Sequence, residues 1–270
     1  MIKFENVGLA SPEQMEFIIQ GMRNPMNSWE KSDSDTDPDF YSLENIEIGS
    51  ADHSLMQRLS DAGTEHRKYM RMMPVYVRIT APLYWWKEFD TYKVGTVANS
   101  CSTMHKIAEK EFSLEDFSCE HLGVFIPAEK NDGVEDYQNL WIAALEETID
   151  YLNVARTFYN RETDPELKKK YWWQMIQLLP SSYNQTRNVM LNYEVLANIY
   201  RQRKNHKLDE WREFCKWIET LPYSELITVK KKPFSVLSPM LEPRYVYAQN
   251  ECISPDVDQI SEHLKTLWLR

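Results

Sequence analysis

The stretch from Val75 to Met104 leaves few choices of local structure. Val75, Val77 and Ile79 alternate strictly with Tyr76, Arg78 and Thr80, and a period of two predicts a half-buried strand. Ala81-Pro82 breaks that pattern, because proline cannot donate to a ladder but suits the first turn of a helix. Leu83 to Lys93 then carries Trp85, Trp86, Phe89 and Tyr92 at three- and four-residue spacings, which predicts a largely buried helix. Val94 to Met104 is small, polar and uncharged where a surface loop would normally carry charge. Two readings of it stand: a packed connection with satisfied hydroxyls, or a row of hydrogen-bonding groups presented to a ligand.

The other elements follow from capping and periodicity. Ser11-Pro12 opens a helix reaching Met22, with Ser11 as N-cap. Ile46 and Ile48 suggest a short strand, and Asp52 to Met70 reads as a helix. Phe112 to Pro127 is irregular and aromatic-rich. Helices are expected over Glu135–Asn160, Leu167–Leu179, Thr186–Arg203 and Leu208–Leu221, with a terminal amphipathic helix over Val257–Leu269. Pro233, Pro239 and Pro243 imply an extended crossing of the surface. No internal repeat and no domain linker stands out, so residues 1–270 are expected to form one α+β domain, helix-rich with a small, mainly antiparallel sheet.

Charge and cysteine usage exclude several classes of function. The net charge of -10 opposes broad, sequence-independent binding to nucleic acid, although a local basic patch could still hold a phosphate. The acidic run inside about 30–40, with Asp33, Asp35 and Asp37, reads as an exposed loop, and it lacks the glycine and distal glutamate of a calcium loop. Cys101, Cys119, Cys215 and Cys252 form no CxxC pair, and the six histidines show no ligand spacing, so neither a disulfide framework nor a metal is expected. No secretory signal and no membrane-length apolar run is visible, which predicts a cytoplasmic protein. Arg201 to Lys207 concentrates cations at the end of a helix. They suit the helix dipole there, and they also suit a phosphate.

Two separated stretches resemble the flavin-dependent thymidylate synthase family. Glu65-His66 precedes the Val75–Thr80 strand and Ala81-Pro82 opens the next helix, as in that family, although with a longer gap. Leu179-Pro180, Tyr183, Asn192, Leu196, Asn198 and Arg203 are similar to its second motif. The family's Arg-His-Arg-x-x-Ser-x-Asn-Glu-x-Ser-x-Arg signature falls on Thr91 to Thr103. Here the leading triplet reads Thr91-Tyr92-Lys93, Thr96 takes the first serine place, and Thr103 takes the closing arginine. A slip of one residue recovers Asn99 and Ser102 and loses Thr96. The arginine two residues past the helix asparagine is Glu194 in this chain, and a carboxylate repels a phosphate.

The resemblance implies the family's fold, a homo-oligomer (a tetramer in that family) with shared active sites, and a pyrimidine nucleotide as small-molecule partner. It also implies an FAD cofactor, which the replaced arginines oppose. Carried over residue by residue, the cofactor side would comprise His66, Tyr92, Lys93, Thr96, Asn99, Ser102 and Asn198. The substrate side would comprise Arg187, Asn192, Arg201 and Arg203. The family's reaction transfers a one-carbon unit to dUMP with hydride from reduced flavin, so the protein positions groups and stabilises charge and supplies no covalent nucleophile. The site is expected where Tyr92 to Thr103 meets the Asn192 to Arg203 segment. A non-catalytic nucleotide-binding or assembly module on the same fold, of phage or mobile-element origin, is the alternative.

Overall fold

The computed structural model describes residues 2–36, 46–123 and 140–228, which lie within one compact unit, Met1–Val229. The helix expected over Val257–Leu269, the proline-rich crossing, Cys252 and the part of the acidic run beyond residue 36 lie outside the described residues.

A four-stranded antiparallel sheet organises the unit, in the order β1 (Lys3–Leu9), β4 (Pro74–Pro82), β6 (Asn184–Asn192), β5 (Val97–Ser100). The central pair is nine residues long on each side, in continuous register from Pro74↔Asn192 to Pro82↔Asn184. Val75, Val77 and Ile79 are buried and Tyr76 and Arg78 exposed, as the alternation predicts. Two further strands, β2 (Asp35–Thr36) and β3 (Ile46–Glu47), form a separate ladder.

Each central strand passes directly into a helix. β4 runs into α3 (Leu83–Phe89), which is shorter than the stretch expected to Lys93, and β6 runs into α7 (Tyr193–Arg203). The expected helix over Thr186–Arg203 is therefore corrected in its first third, which is strand. Val189, Tyr193 and Leu196 fit a helical stripe, yet Val189 and Leu191 are buried by the period of two in β6. Asn192 marks the switch: its side-chain oxygen accepts a hydrogen bond from the Val195 N–H at 3.0 Å and caps α7.

The first helix, α1 (Pro12–Arg23), has the expected Ser11 cap, reinforced by Gln14 in a capping box. Asp52 to Met70 is not one helix: α2 (Ser50–Ala62) stops at Gly63, whose φ is +118, and a 3-10 turn follows over Lys68–Arg71. The acidic run is partly built in, since Asp33 accepts from the Ala51 and Asp52 N–H groups at 2.8 and 3.0 Å. Beyond a short turn α4 (Thr103–Lys106), α5 (Leu140–Arg161) and α6 (Pro165–Leu178) form a helical hairpin. α8 (Asp209–Glu219) and the short α9 (Glu225–Thr228) pack against α7.

Two cores result. The larger gathers the buried face of the sheet with α1, α3, α7 and α8, centred on Trp85, Trp86, Phe89, Trp211 and Phe214. The smaller joins Leu145, Ile149 and Leu152 of α5 to Met175 of α6 and to Phe112 and Phe117.

Candidate functional site

Three elements converge on a cavity of about 600 Å³. The turn between α2 and β4 supplies Thr64, Arg67 and Arg71, the segment after α3 supplies Thr91 to Val94, and α7 supplies Glu194, Val195, Asn198 and Arg201. Four of these side chains are cationic and one is acidic, in a chain of net charge -10.

The cations differ in how they are held. Arg67 is 8% exposed, and its Nε lies 2.6 Å from Glu194 Oε2, close enough for a strong ion pair. The N–H is not aimed at that oxygen, so neither atom completes a hydrogen bond. Arg71 donates to the Thr64 carbonyl at 3.3 Å, and Arg201 donates to the Asn198 side-chain oxygen at 2.8 Å. Among the described residues neither of these arginines, nor Lys93, has a carboxylate partner. Three charges near a cavity without carboxylate partners are suited to an anion.

Backbone shape closes one wall. Gly95 has φ +76, and a Cβ placed there would stand 2.9 Å from Val195 Cγ2 and 3.1 Å from Asn192 Nδ2. The segment therefore lies directly on the start of α7, at an approach that a side chain would prevent. Next to it, the Thr96 hydroxyl is buried without a hydrogen-bond partner among the described residues.

Of the residues singled out from sequence, Tyr92, Lys93, Asn198 and Arg201 come together at this cavity. Arg203 does not line it. Its guanidinium donates to Glu88 Oε2 at 2.9 Å and to the Tyr92 hydroxyl at 2.8 Å, and lies 4.8 Å over the Trp211 ring. Arg187 is similarly occupied, paired with Asp90 at 2.7 Å and 4.3 Å over the Trp86 ring. Asn192 acts as the cap of α7. His66 is exposed in the turn beside Arg67. Asn99 stands on the exposed edge strand β5, opposite Asn188. Ser102 caps α4, accepting from the His105 N–H at 3.2 Å, and borders a second cavity of about 560 Å³ with Cys101, Cys119 and Tyr183.

Arg67 and Arg71 are cavity residues that the sequence analysis did not single out, although Glu65-His66 next to them was. The signal was Glu194, a carboxylate at the start of an otherwise apolar helix segment, which needs a counter-charge when it is not solvated. Among the described residues no cluster of three His, Cys, Asp or Glu could hold a metal ion, and no helix is long and apolar enough to cross a membrane.

No protein-family model and no curated protein sequence matches the chain. Solved structures do. Thymidylate synthase X from Helicobacter pylori, crystallised with FAD and dUMP, superposes with a TM-score of 0.54 at 14% identity, covering 84% of this chain and 96% of that one. The chain has the fold of the flavin-dependent thymidylate synthases. A second Helicobacter pylori structure of that flavin-dependent enzyme, also with FAD and dUMP, gives a TM-score of 0.52 at 16% identity, covering 83% and 95%. A UMP/dUMP methylase from Streptomyces cacaoi bound with 5-Br dUMP gives 0.50 at 12%, covering 82% and 88%. This flavin-dependent thymidylate synthase fold is therefore kept nearly end to end with little sequence in common.

Proposed function

We propose that this protein binds a phosphate-bearing nucleotide in the cavity between the 64–71 turn, the 91–94 segment and α7, as a divergent relative of the flavin-dependent synthases. One observation carries the reading. Arg71, Lys93 and Arg201 line a cavity of about 600 Å³ without carboxylate partners among the described residues, while Arg187 and Arg203 elsewhere are tied to Asp90 and Glu88. Similar solved structures carry FAD and dUMP, which makes a flavin and a pyrimidine nucleotide the ligands to try first.

The cavity's chemistry fits a flavin nucleotide in part. Lys93, Arg71 and Arg201 would face its phosphates, Arg67 would add charge screened by Glu194, and the buried Thr96 hydroxyl and Asn198 offer polar contacts nearby. Bound FAD would supply hydride transfer for one-carbon chemistry on a pyrimidine. The chain's own contribution is to orient the ligand and hold its negative charge, since none of the lining residues is arranged as a covalent nucleophile.

A second reading, a binding or assembly module without catalysis, is favoured by the fate of Arg187 and Arg203. Both are consumed by internal ion pairs and aromatic stacking. Absorbance spectra of the purified protein with FAD, followed by dUMP titration, separate the two. A flavin spectrum that responds to dUMP supports the enzyme reading. Nucleotide binding without flavin supports the module. For either ligand, Lys93→Ala with Arg201→Ala is expected to weaken affinity at least tenfold, since charge-assisted contacts are worth about 1.5–3 kcal/mol each. Unchanged affinity would remove this cavity from the reading.

A further inference from the structure

Arg67 engages only one oxygen of Glu194. Oε2 of that carboxylate is buried against the Arg67 Nε at 2.6 Å. The 14% of the side chain that stays exposed therefore presents Oε1, which has no hydrogen-bond partner among the described residues. The guanidinium offsets the charge of Glu194 but leaves this oxygen's capacity to accept unused. A carboxylate oxygen at a cavity wall is matched by an N–H or O–H facing it, and by no other kind of group.

The neighbours of Glu194 ask for something different. Glu194, Asn198 and Arg201 follow one another at four and three residues, so they stand in a row along one face of α7. The row is about 10 Å long at the rise of an α-helix. Asn198 Oδ1 already accepts from Arg201 at 2.8 Å and from Gln202 at 2.9 Å, which leaves its amide N–H groups to donate. Along the helix the wall thus reads acceptor, donor, cation, and Arg71 and Lys93 add positive charge to the same cavity. The positive end of the helix dipole, at the first turn of α7, is where a phosphate is ordinarily drawn. Glu194 fills that place itself, as the second residue of the helix, so an anion is turned towards Arg201 instead.

A matching ligand carries hydroxyl or amino donors at one end and negative charge at the other. Phosphate supplies the charge but only accepts. The hydroxyls of ribose supply the donors, at a distance from the outer phosphate of a nucleoside diphosphate that suits the row. Carboxylates hold ribose hydroxyls in dinucleotide-binding sheets for the same reason. We propose that Glu194 selects the sugar: the cavity takes a ribonucleoside diphosphate, whose ribose hydroxyls donate to Glu194 Oε1 while its phosphates face Asn198, Arg201, Lys93 and Arg71. This deepens the nucleotide reading above and rests on it. The chemistry is shared by a free nucleoside diphosphate and by the ADP half of a dinucleotide such as FAD.

Calorimetry of the full chain with ADP, 2′,3′-dideoxy-ADP and inorganic pyrophosphate tests the assignment. ADP should bind at least tenfold more tightly than the dideoxy analogue, since a hydrogen bond to a charged acceptor is lost. In Glu194→Ala that preference should vanish while pyrophosphate binding is kept or strengthened. Glu194→Ala leaves Arg67 buried without its counter-charge, so Arg67→Met with Glu194→Met is the companion variant, because a buried ion pair is often replaced by apolar residues of similar volume without loss of stability. It too should lose the preference and keep pyrophosphate. A chain that binds ADP and dideoxy-ADP equally overturns the selection of the sugar and leaves the phosphate cavity standing. So does a preference that survives in both variants. No binding of pyrophosphate or of either nucleotide overturns the cavity reading as well. FAD bound more tightly than ADP marks a dinucleotide as the source, and ADP bound at least as tightly as FAD marks a free nucleotide; each agrees with the proposal.

Discussion

Glu194 shows how one residue can change the sign of a local charge without emptying the site of cations. By the resemblance this position carries arginine. Here it carries a carboxylate that lies 2.6 Å from the nearly buried Arg67, contributed by a different element. The positive charge at this wall comes from the turn, and the acid that would repel a phosphate is largely neutralised by its Arg67 partner. Glu194→Gln is therefore expected to act in two directions. It leaves Arg67 buried without its counter-charge, at about 3 kcal/mol, which urea denaturation would read. It also makes the cavity more positive, so inorganic pyrophosphate should bind several times more tightly by calorimetry. Loss of affinity in a folded variant would show that Glu194 holds the ligand directly.

Elements that announce themselves by period were the legible ones. β4 is nearly as read, because alternate residues are buried on only one face. The strand-helix unit after it fixed where Tyr92 and Lys93 would stand, and half of the site followed from that. β6 was misread because Val189, Tyr193 and Leu196 satisfy a helical spacing by coincidence, and the polar Asn184 to Asn188 gave no alternation to oppose it. β1 escaped notice for another reason: it is an edge strand with Asn6 at φ 51 and a break in register between Glu5 and Gly8, so its side chains do not alternate cleanly. The turn cations Arg67 and Arg71 were hard to read because their only signal, Glu194, lies on a helix more than a hundred residues away in the chain. Asn192 joins the misread β6 to α7, and its cap can be tested alone. Asn192→Ala should cost about 1 kcal/mol, within the 0.5–2 kcal/mol usual for a lost N-cap, whereas Asn192→Asp should keep the cap and gain from the helix dipole. Equal melting temperatures for the two variants would mean that the cap contributes nothing.

Across the whole molecule, acid should be the condition that this fold tolerates least. Asp52 is fully buried and gathers Ser32, Ser34 and Arg23 around its two oxygens, with Arg23 Nε at 2.5 Å. Burial alone would raise its pKa, but the hydrogen bonds from Ser34, Ser32, Arg23 and the Asp33 N–H outweigh it and hold the carboxyl below its ordinary value. The folded pKa is thus lower than the unfolded value of about 3.9. The stabilisation is complete above that value and fades as pH falls through the depressed one. Urea midpoints should drop steeply below about pH 4. Asp52→Asn should lower stability at neutral pH by about 3–5 kcal/mol, seen as a lower urea midpoint, and flatten the acid limb. An acid limb of unchanged slope would assign it to other carboxylates.

The direct passage of β6 into α7 has a further effect, on which changes this fold can absorb. The Tyr193 N–H still bonds to the Met73 carbonyl beside the sheet, and the helix begins on that very residue. There is no slack at the joint. One inserted residue would swing α7 by about 100° and carry Asn198 and Arg201 out of line with Lys93. Side chains around the cavity can change without moving α7, but the count of residues between strand and helix cannot. A substitution at this joint costs a bounded amount, whereas an insertion would take the whole of α7 out of register with the cavity, so the spacing there is held more tightly than any one residue.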